Sequence, residues 1–562
     1  MRHRRMTTGQ LAPTGPVCIP DNLEWRDQMR AFFRALGAVA LSAVMALPAL
    51  AQTTVSAPGD STSGTYVDYM RTVYARAGFP ELIMLPLTSF DNEYALTGLG
   101  AESWTQSEDG LTWTFILREG LVWSDGEPLT AEDYVFALQR AATTGYDFNW
   151  YWDFAAGIEG WKAVTEESAD VAMLGLVAVD DRTIRVTTAT PKPYLPSVVS
   201  LWYPVPKHVW DVYGDDYATN VDTLVSSGAF IVESWEKSNN SMVLVRNETY
   251  TGPWPSLVER IEVDPSLGSP EVGLPAYMAG EVDYAYLNAG QIPFVEERMP
   301  EQIRQNAIFA TSYIAFDMTS PPFDNADVRR AFWYAIDRDE MTSTVLRNLA
   351  VPGRSLLPPS YPGYNQAIAD QAVFDPAKAQ EFMAAAGYPG GEGFPEVEIW
   401  YRDQGGYNGA ITAPMLQYLQ AEFAETLGIT MNLKVMPTQD WMNAMLNKEN
   451  NLFLAPYEYD YIDPSNFYGI FYNGGRHDHR VPEYDALVAA ADANPVWEER
   501  LALYAKAEQV LIDNASIVPL VHPIQMFAVS NALSGAAVEP NSQGMTPLNR
   551  LVPYFYAHLT KE

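Results

Sequence analysis

Residues 112–138 read Thr-Trp-Thr-Phe-Ile-Leu-Arg-Glu-Gly-Leu-Val-Trp-Ser-Asp-Gly-Glu-Pro-Leu-Thr-Ala-Glu-Asp-Tyr-Val-Phe-Ala-Leu. The first six alternate polar and apolar, which puts Trp113, Phe115 and Leu117 on one face of a strand. Ser124-Asp-Gly-Glu127 is turn chemistry. Thr130 then stands where it can cap a helix with Tyr134, Val135 and Leu138 on one side, and Asp133 occupies the capping-box position. Strand and helix signals continue to alternate beyond this stretch, so the expected class is mixed α/β.

Downstream, Thr183–Thr187 reads as a strand after the Asp180-Asp181 turn, and Met242–Arg246 as another. Prolines at 191, 193, 196, 204 and 206 suit a crossing between domains, and 252–275 is a second Pro/Gly-rich stretch. A new block begins at Tyr313-Ile-Ala-Phe-Asp317. Val328, Ala331, Phe332, Ala335 and Ile336 fall at helical spacing as one buried stripe. Asp375-Pro376 opens a helix, with the acid as cap and proline in the first turn, and Gly387 closes it. Leu503, Ala507, Val510 and Leu511 form a further stripe. Such stripes are core and carry no chemistry.

At 562 residues the chain is too long for a single core, so two or three domains are expected. Lys and Arg total 35 against 70 Asp and Glu, a formal net charge of −35. That balance argues against sequence-independent binding to nucleic acid or anionic lipid. Met29-Arg-Ala-Phe-Phe-Arg34 is a short basic segment, Ala35–Leu47 an apolar run, and Pro48-Ala-Leu-Ala51 has small residues at cleavage-site spacing. Residues 1–51 are therefore expected to be a signal peptide with an N-terminal extension, Met29 reading as the better start. Its loss would remove Cys18, the one cysteine, and with it any disulfide, thiolate metal site or lipoprotein anchor. The expected location is periplasmic.

Searching for chemistry returns little. The chain has no G-x-S-x-G elbow, no H-E-x-x-H helix, no phosphate-binding loop and no dinucleotide fingerprint. His477-Asp-His479 has metal-like spacing, yet Arg476 and Arg480 flank it; the expected state is a solvated loop. His208 reads as a surface residue at a helix start. No catalytic residue, metal or cofactor is expected. What stands out is 457–468, Tyr-Glu-Tyr-Asp-Tyr-Ile-Asp-Pro-Ser-Asn-Phe-Tyr, where three acids sit among five aromatics. An acid between aromatic faces is desolvated and favours a cation or a proton. A solvated turn, an acid/base pair made by Asp460 and Asp463, and a pocket wall are all compatible with it.

A series of segments, in order from about residue 99 to 530, resembles the oligopeptide/dipeptide-binding family of solute-binding proteins that serve ABC transporters. They include Ala101–Arg118 with Trp123–Val135, Val205-Pro-Lys-His208, Ser227-Gly-Ala-Phe230, Arg246-Asn-Glu-Thr-Tyr250 and Gly280-Glu-Val-Asp-Tyr284. Pro322–Phe332 with Ala335–Asp339, Asp375–Ala379 with Ala386-Gly-Tyr388, Tyr504–Gln509 and Ile517–Leu520 continue the series. The resemblance implies a two-lobed periplasmic-binding-protein fold with an extra inserted domain, hinge-linked around a ligand cleft. Residues 52–103, 207–308 and 533–562 would build domain I, 104–206 an inserted domain II and 309–532 domain III. The implied function is an exported receptor, monomeric and not an enzyme, that captures peptides and delivers them to an ABC import permease.

In this family an acid, two residues and then Asp/Glu-Pro mark the site, matched here by Asp460 to Pro464. The first acid clamps the peptide's α-ammonium, which carries over to Asp460; Tyr457, Tyr459 and Tyr461 become candidates for the cleft lining, although alternation prevents all three from facing inward. Leu454 and Thr412 stand where some members carry a basic residue for the carboxylate. A ligand with an amine and no free carboxylate is therefore open. Relatives within the family take nickel complexes, haem, sugars or opines. A secreted hydrolase using Asp460 and Asp463 is the rival from another class, and a receptor that signals is a third.

Overall fold

The computed structural model describes residues 53–546 and 552–562, apart from 60–63, 65, 75, 78, 403–405, 473–475 and 478. The expected signal peptide, with Cys18 and Met29, lies outside the described residues. Among those described, no helix is long and apolar enough to cross a membrane.

Local chemistry of 112–138 is realised. Thr112–Leu117 is a strand with Trp113, Phe115 and Leu117 buried, in an antiparallel four-stranded sheet with Ala101–Gln106, Thr183–Thr187 and Leu176–Asp180. The helix Ala131–Thr143 begins with the Thr130/Asp133 capping box. Asp133 does more than cap. It is buried, it also accepts from Lys207 N at 3.1 Å, and desolvation raises its pKa.

A second four-stranded sheet joins Thr54–Pro58, Arg260–Asp264, Ser241–Arg246 and Phe230–Glu236, its first pair parallel and the others antiparallel. The largest sheet has eight strands. Its main path runs Tyr284–Tyr286, Ile517–Val529, Ala310–Phe316, Leu452–Glu458, Val397–Arg402 and Met431–Met436; Ile303–Ala307 and Ala350–Pro352 also pair with Ile517–Val529. That long strand is buried almost throughout, as an apolar run with neighbours on both edges should be.

Two passes of the chain run side by side here. Ala307 pairs with Ile524, Ile308 N donates to Pro523 O at 3.3 Å, and the ladder resumes at Ser312 opposite Val521. The core is divided accordingly. One cluster gathers mainly residues 55–263 with the C-terminal tail, joined by Tyr284, Tyr461, Phe527 and Val529, and two others gather mainly 274–528, one of them with Phe90. The proline-rich run 191–206 lies within the first, where Thr88 Oγ1 donates to Pro196 O at 2.7 Å and Trp202 Nε1 to Tyr134 O at 2.7 Å.

The helix Ala326–Tyr334 buries Val328, Ala331 and Phe332, with Ala335 and Ile336 buried just past its end. Asp375 accepts from Lys378 N to cap Pro376–Ala385, and Gly387 has the positive φ that lets the chain turn away. The helix Trp497–Asp513 differs from expectation. Its buried side is Arg500, Tyr504, Ala507, Glu508 and Leu511, whereas Leu503 and Val510 are only half-buried. Two charged residues can occupy the buried side because each is partnered: Arg500 by Asp463, and Glu508 by Ser355 Oγ, Leu356 N and Tyr468 Oη.

Candidate functional site

The strand Leu452–Glu458 is buried on both faces until its last residue. Its register against Ala310–Phe316 sets Tyr457 opposite Thr311 and Glu458 opposite Ala310. Past the strand, Tyr459 N donates to Phe309 O at 3.0 Å and the chain turns. Asp460 stands at the head of that turn, half-buried. Its Oδ2 accepts from Tyr457 Oη at 3.0 Å and from Asn466 Nδ2 at 3.4 Å, while its own N–H donates to Asn466 Oδ1 at 3.0 Å. The carboxylate is therefore held in place from both ends of the motif.

All three tyrosine rings are buried. Tyr457 packs edge-on against Phe467, and the Arg476 guanidinium lies 5.1 Å from the Tyr457 ring centroid. Tyr459 packs against Phe309 at 5.5 Å. Tyr461 points the other way. It stacks on Tyr194, centroids 5.8 Å apart and 8° from parallel, and meets Tyr151 edge-on.

Asp463 is a different kind of acid from Asp460. It is buried, its Oδ1 accepts from Ser465 N at 3.0 Å and from Arg500 Nη2 at 2.6 Å, and its N–H donates to Tyr361 Oη at 3.0 Å. An acid so partnered is committed to holding the turn.

A ring that sequence reasoning missed lies within electrostatic reach of Asp460. Asp147 accepts from Thr72 Oγ1 at 2.6 Å, Val73 N at 2.9 Å and Tyr74 N at 3.3 Å, fixing a turn that presents Tyr74. Phe148 backs the ring edge-on at 6.1 Å. Tyr74 is 67% exposed, yet the surrounding protein desolvates its hydroxyl and raises its pKa; Asp460 adds to the rise and Arg476 opposes it. The ring of Tyr74 is thus exposed while its hydroxyl lies within electrostatic reach of Asp460 and Arg476. Nothing in the local sequence around Tyr74 marks it, because its presentation depends on Asp147, far along the chain.

Leu454 and Thr412 are both buried, in a strand and a helix, and neither offers a charge. Arg476, against the Tyr457 ring, is a cation that the motif alone did not single out. Arg402 lies 5.3 Å from the Trp441 ring centroid, and Lys434 3.5 Å from that of Trp400.

The His477/His479 pair corrects an expectation. Both rings are buried rather than solvated. His477 stacks on Phe471 at 5.0 Å and its Nε2 meets Tyr313 Oη at 2.6 Å; His479 packs on the same phenylalanine. Burial, then the charges of His479 and Arg476, push the His477 pKa well below its ordinary value. An apolar platform with one hydroxyl partner suits a neutral imidazole. Among the described residues, no three His, Cys, Asp or Glu side chains gather as a metal site would require. His208 lies near the start of the helix Lys207–Tyr213, its Nε2 2.8 Å from Asp125 Oδ2.

Comparison with known proteins supplies the wider setting. The profile of the bacterial extracellular solute-binding proteins, family 5 Middle, matches residues 95–478. The probable deoxycholate-binding periplasmic protein YgiS of Escherichia coli is 29% identical over 448 residues, covering 78% of this chain and 82% of that one. The periplasmic oligopeptide-binding protein OppA of Salmonella typhimurium is 27% identical over 457 residues, covering 77% and 80%. Among solved structures, an oligopeptide-binding protein of Borrelia burgdorferi superposes with a TM-score of 0.73 at 24% identity, covering 91% of this chain and 100% of that one. The fold is thus the two-lobed periplasmic-binding-protein type.

Proposed function

Because the chain belongs to the bacterial extracellular solute-binding proteins of family 5, we propose that it is an exported receptor that captures a peptide between its lobes and passes it to an ABC import permease. The observation that carries this reading is the state of Asp460. Its half-buried carboxylate is oriented by Tyr457 and Asn466 among buried aromatic rings, where a charge-assisted hydrogen bond to an α-ammonium is strong and directional. Tyr457 and Tyr459 then back the acid through their packing, Tyr461 turns to the other side against Tyr194, and Tyr74 is the exposed ring within electrostatic reach.

In this reading residues 53–103, 207–308 and 533–562, with 104–206 inserted, make one lobe, and 309–532 the other. The paired passes near Ala307 and Ile524 support a hinge between them, about which ligand contacts to both lobes favour the closed state. Capture and release, not bond cleavage, is the chemistry of this reading: Asp463, the other acid of the motif, is taken up by Arg500 and Ser465.

A second reading rests on Arg476 and on the likeness to a deoxycholate-binding relative. An amphipathic carboxylate would set its charge on Arg476 and its apolar body against Tyr74. Calorimetry of the purified chain with tri-alanine, N-acetyl-tri-alanine and deoxycholate separates the two. Peptide capture predicts heat from tri-alanine and about tenfold or weaker binding of the acetylated form, since blocking the amine removes one charged hydrogen bond. Binding of deoxycholate alone overturns it, and appearance of peptide fragments would establish hydrolysis instead.

A further inference from the structure

We propose that Tyr461 is a peg that locks the ligand-bearing turn to the opposite lobe, so that release of the solute at Asp460 is slowed by contacts the solute itself does not make. The ligand side of this proposal rests on the reading of Asp460 above; the closure side does not.

The packing singles Tyr461 out. Among the described residues from 309 to 516, it alone belongs to the core cluster built by residues 55–263 and the C-terminal tail. Its neighbours Tyr457, Tyr459 and Ile462 all belong to a cluster on their own side. Tyr461 is 2% exposed and wedged between Tyr194 and Tyr151.

The surrounding contacts reinforce the peg. Ser197 Oγ donates to Ile462 O at 3.0 Å, a buried hydrogen bond from one lobe to the residue next to the peg. Tyr194 is gripped around its rim: Lys192 Nζ donates to its hydroxyl at 3.0 Å, and the Arg500 guanidinium, ion-paired with Asp463, lies 5.2 Å from its ring centroid. Phe154 lies against Tyr472 and sits where a side chain at Gly469 would clash.

Asp460 and Tyr461 are consecutive, and their side chains diverge: the acid meets Tyr457 and Asn466 on its own side, and the ring enters the slot of Tyr194 and Tyr151. The turn between them is fixed by Asn466 and Tyr361. Parting the lobes must therefore extract the Tyr461 ring from its aromatic slot and leave the Ile462 carbonyl without Ser197, in the same movement that opens the site at Asp460. A contact present in the closed state and absent from the open one shifts the closed population and lowers the rate of release, with little effect on association.

The test uses the full secreted chain with fluorophores on Glu166→Cys and Glu449→Cys, one label on each side, and stopped-flow release of tri-alanine. Tyr194→Ala should shift the energy-transfer signal toward the open state and speed release about five- to tenfold, the size expected of a lost aromatic pair, with association unchanged. Tyr194→Phe, which keeps the ring, should stay within about twofold, a split that general structural damage would not give. If Tyr194→Ala fails to fold, Ser197→Ala should move both signals the same way by about twofold or more. Unchanged energy transfer and release in these variants overturn the peg, as does equal damage from Tyr194→Phe and Tyr194→Ala. If tri-alanine does not bind the unmodified chain, the peptide reading falls and the energy-transfer arm alone decides the peg.

Discussion

Tyr457 Oη donates to Asp460 Oδ2 at 3.0 Å across three residues of the same motif. The donor is the penultimate residue of a buried strand and the acceptor heads the turn that follows, so the sheet itself sets the direction of the carboxylate. Tyr457→Phe keeps the ring against Phe467 and removes only that donor. We expect folding to be unchanged and ligand affinity to fall about fivefold, equivalent to ~1 kcal/mol for one hydrogen bond. Calorimetry beside a thermal melt checks both halves.

Asp463 and Arg500 form a buried ion pair, with side chains 6% and 4% exposed. Removing one partner strands the other charge. Asp463→Asn should therefore destabilise the fold by about 3 kcal/mol or more, against the near-neutral effect expected of an exposed acid. Urea unfolding measures it.

His522 is buried on the long central strand, with Thr311 Oγ1 3.0 Å from its Nδ1. Burial is the main cause of its low pKa, and the Ala310 carbonyl at 3.2 Å partly opposes it; the result is about 4. A folded pKa below the unfolded value of ~6.5 means the unfolded chain binds the proton first. The contribution of His522 is thus fully present above about pH 6.5 and is lost as pH falls toward about 4, up to ~3 kcal/mol in all. Asp492 and Glu508, whose pKa values are raised by burial, act in the opposite sense. The prediction is therefore a difference: His522→Asn should flatten the stability profile between about pH 4 and 6.5 relative to the unmodified chain, as measured by denaturant midpoints at each pH.

Local patterns were readable from the chain wherever burial follows a simple period. Trp113, Phe115 and Leu117 alternate and are buried; Thr130 and Asp133 make the capping box that their spacing announces. The stretch at Asp460 stood out for its acids among aromatics, and its hydrogen bond from Tyr457 is local to that stretch. The helix Trp497–Asp513 shows why other parts were not. Arg500 and Glu508 look like a solvated face until their partners Asp463 and Ser355, distant in sequence, are known. His477 looked solvated for the same reason, since Phe471 and Tyr313 shelter it only in three dimensions. Tyr74, which lies within electrostatic reach of Asp460, and Tyr194, which stacks on Tyr461, carry no local signal at all.

The central claim is that Asp460 anchors a ligand's ammonium, and one comparison tests it most directly. Tri-alanine and N-acetyl-tri-alanine are titrated by calorimetry into the unmodified chain and into Asp460→Asn. The account predicts that the substitution weakens tri-alanine at least tenfold, about 1.4 kcal/mol or more for a lost charged hydrogen bond, and leaves the acetylated peptide nearly unaffected. Equal losses for both peptides, or no loss for either, would contradict it.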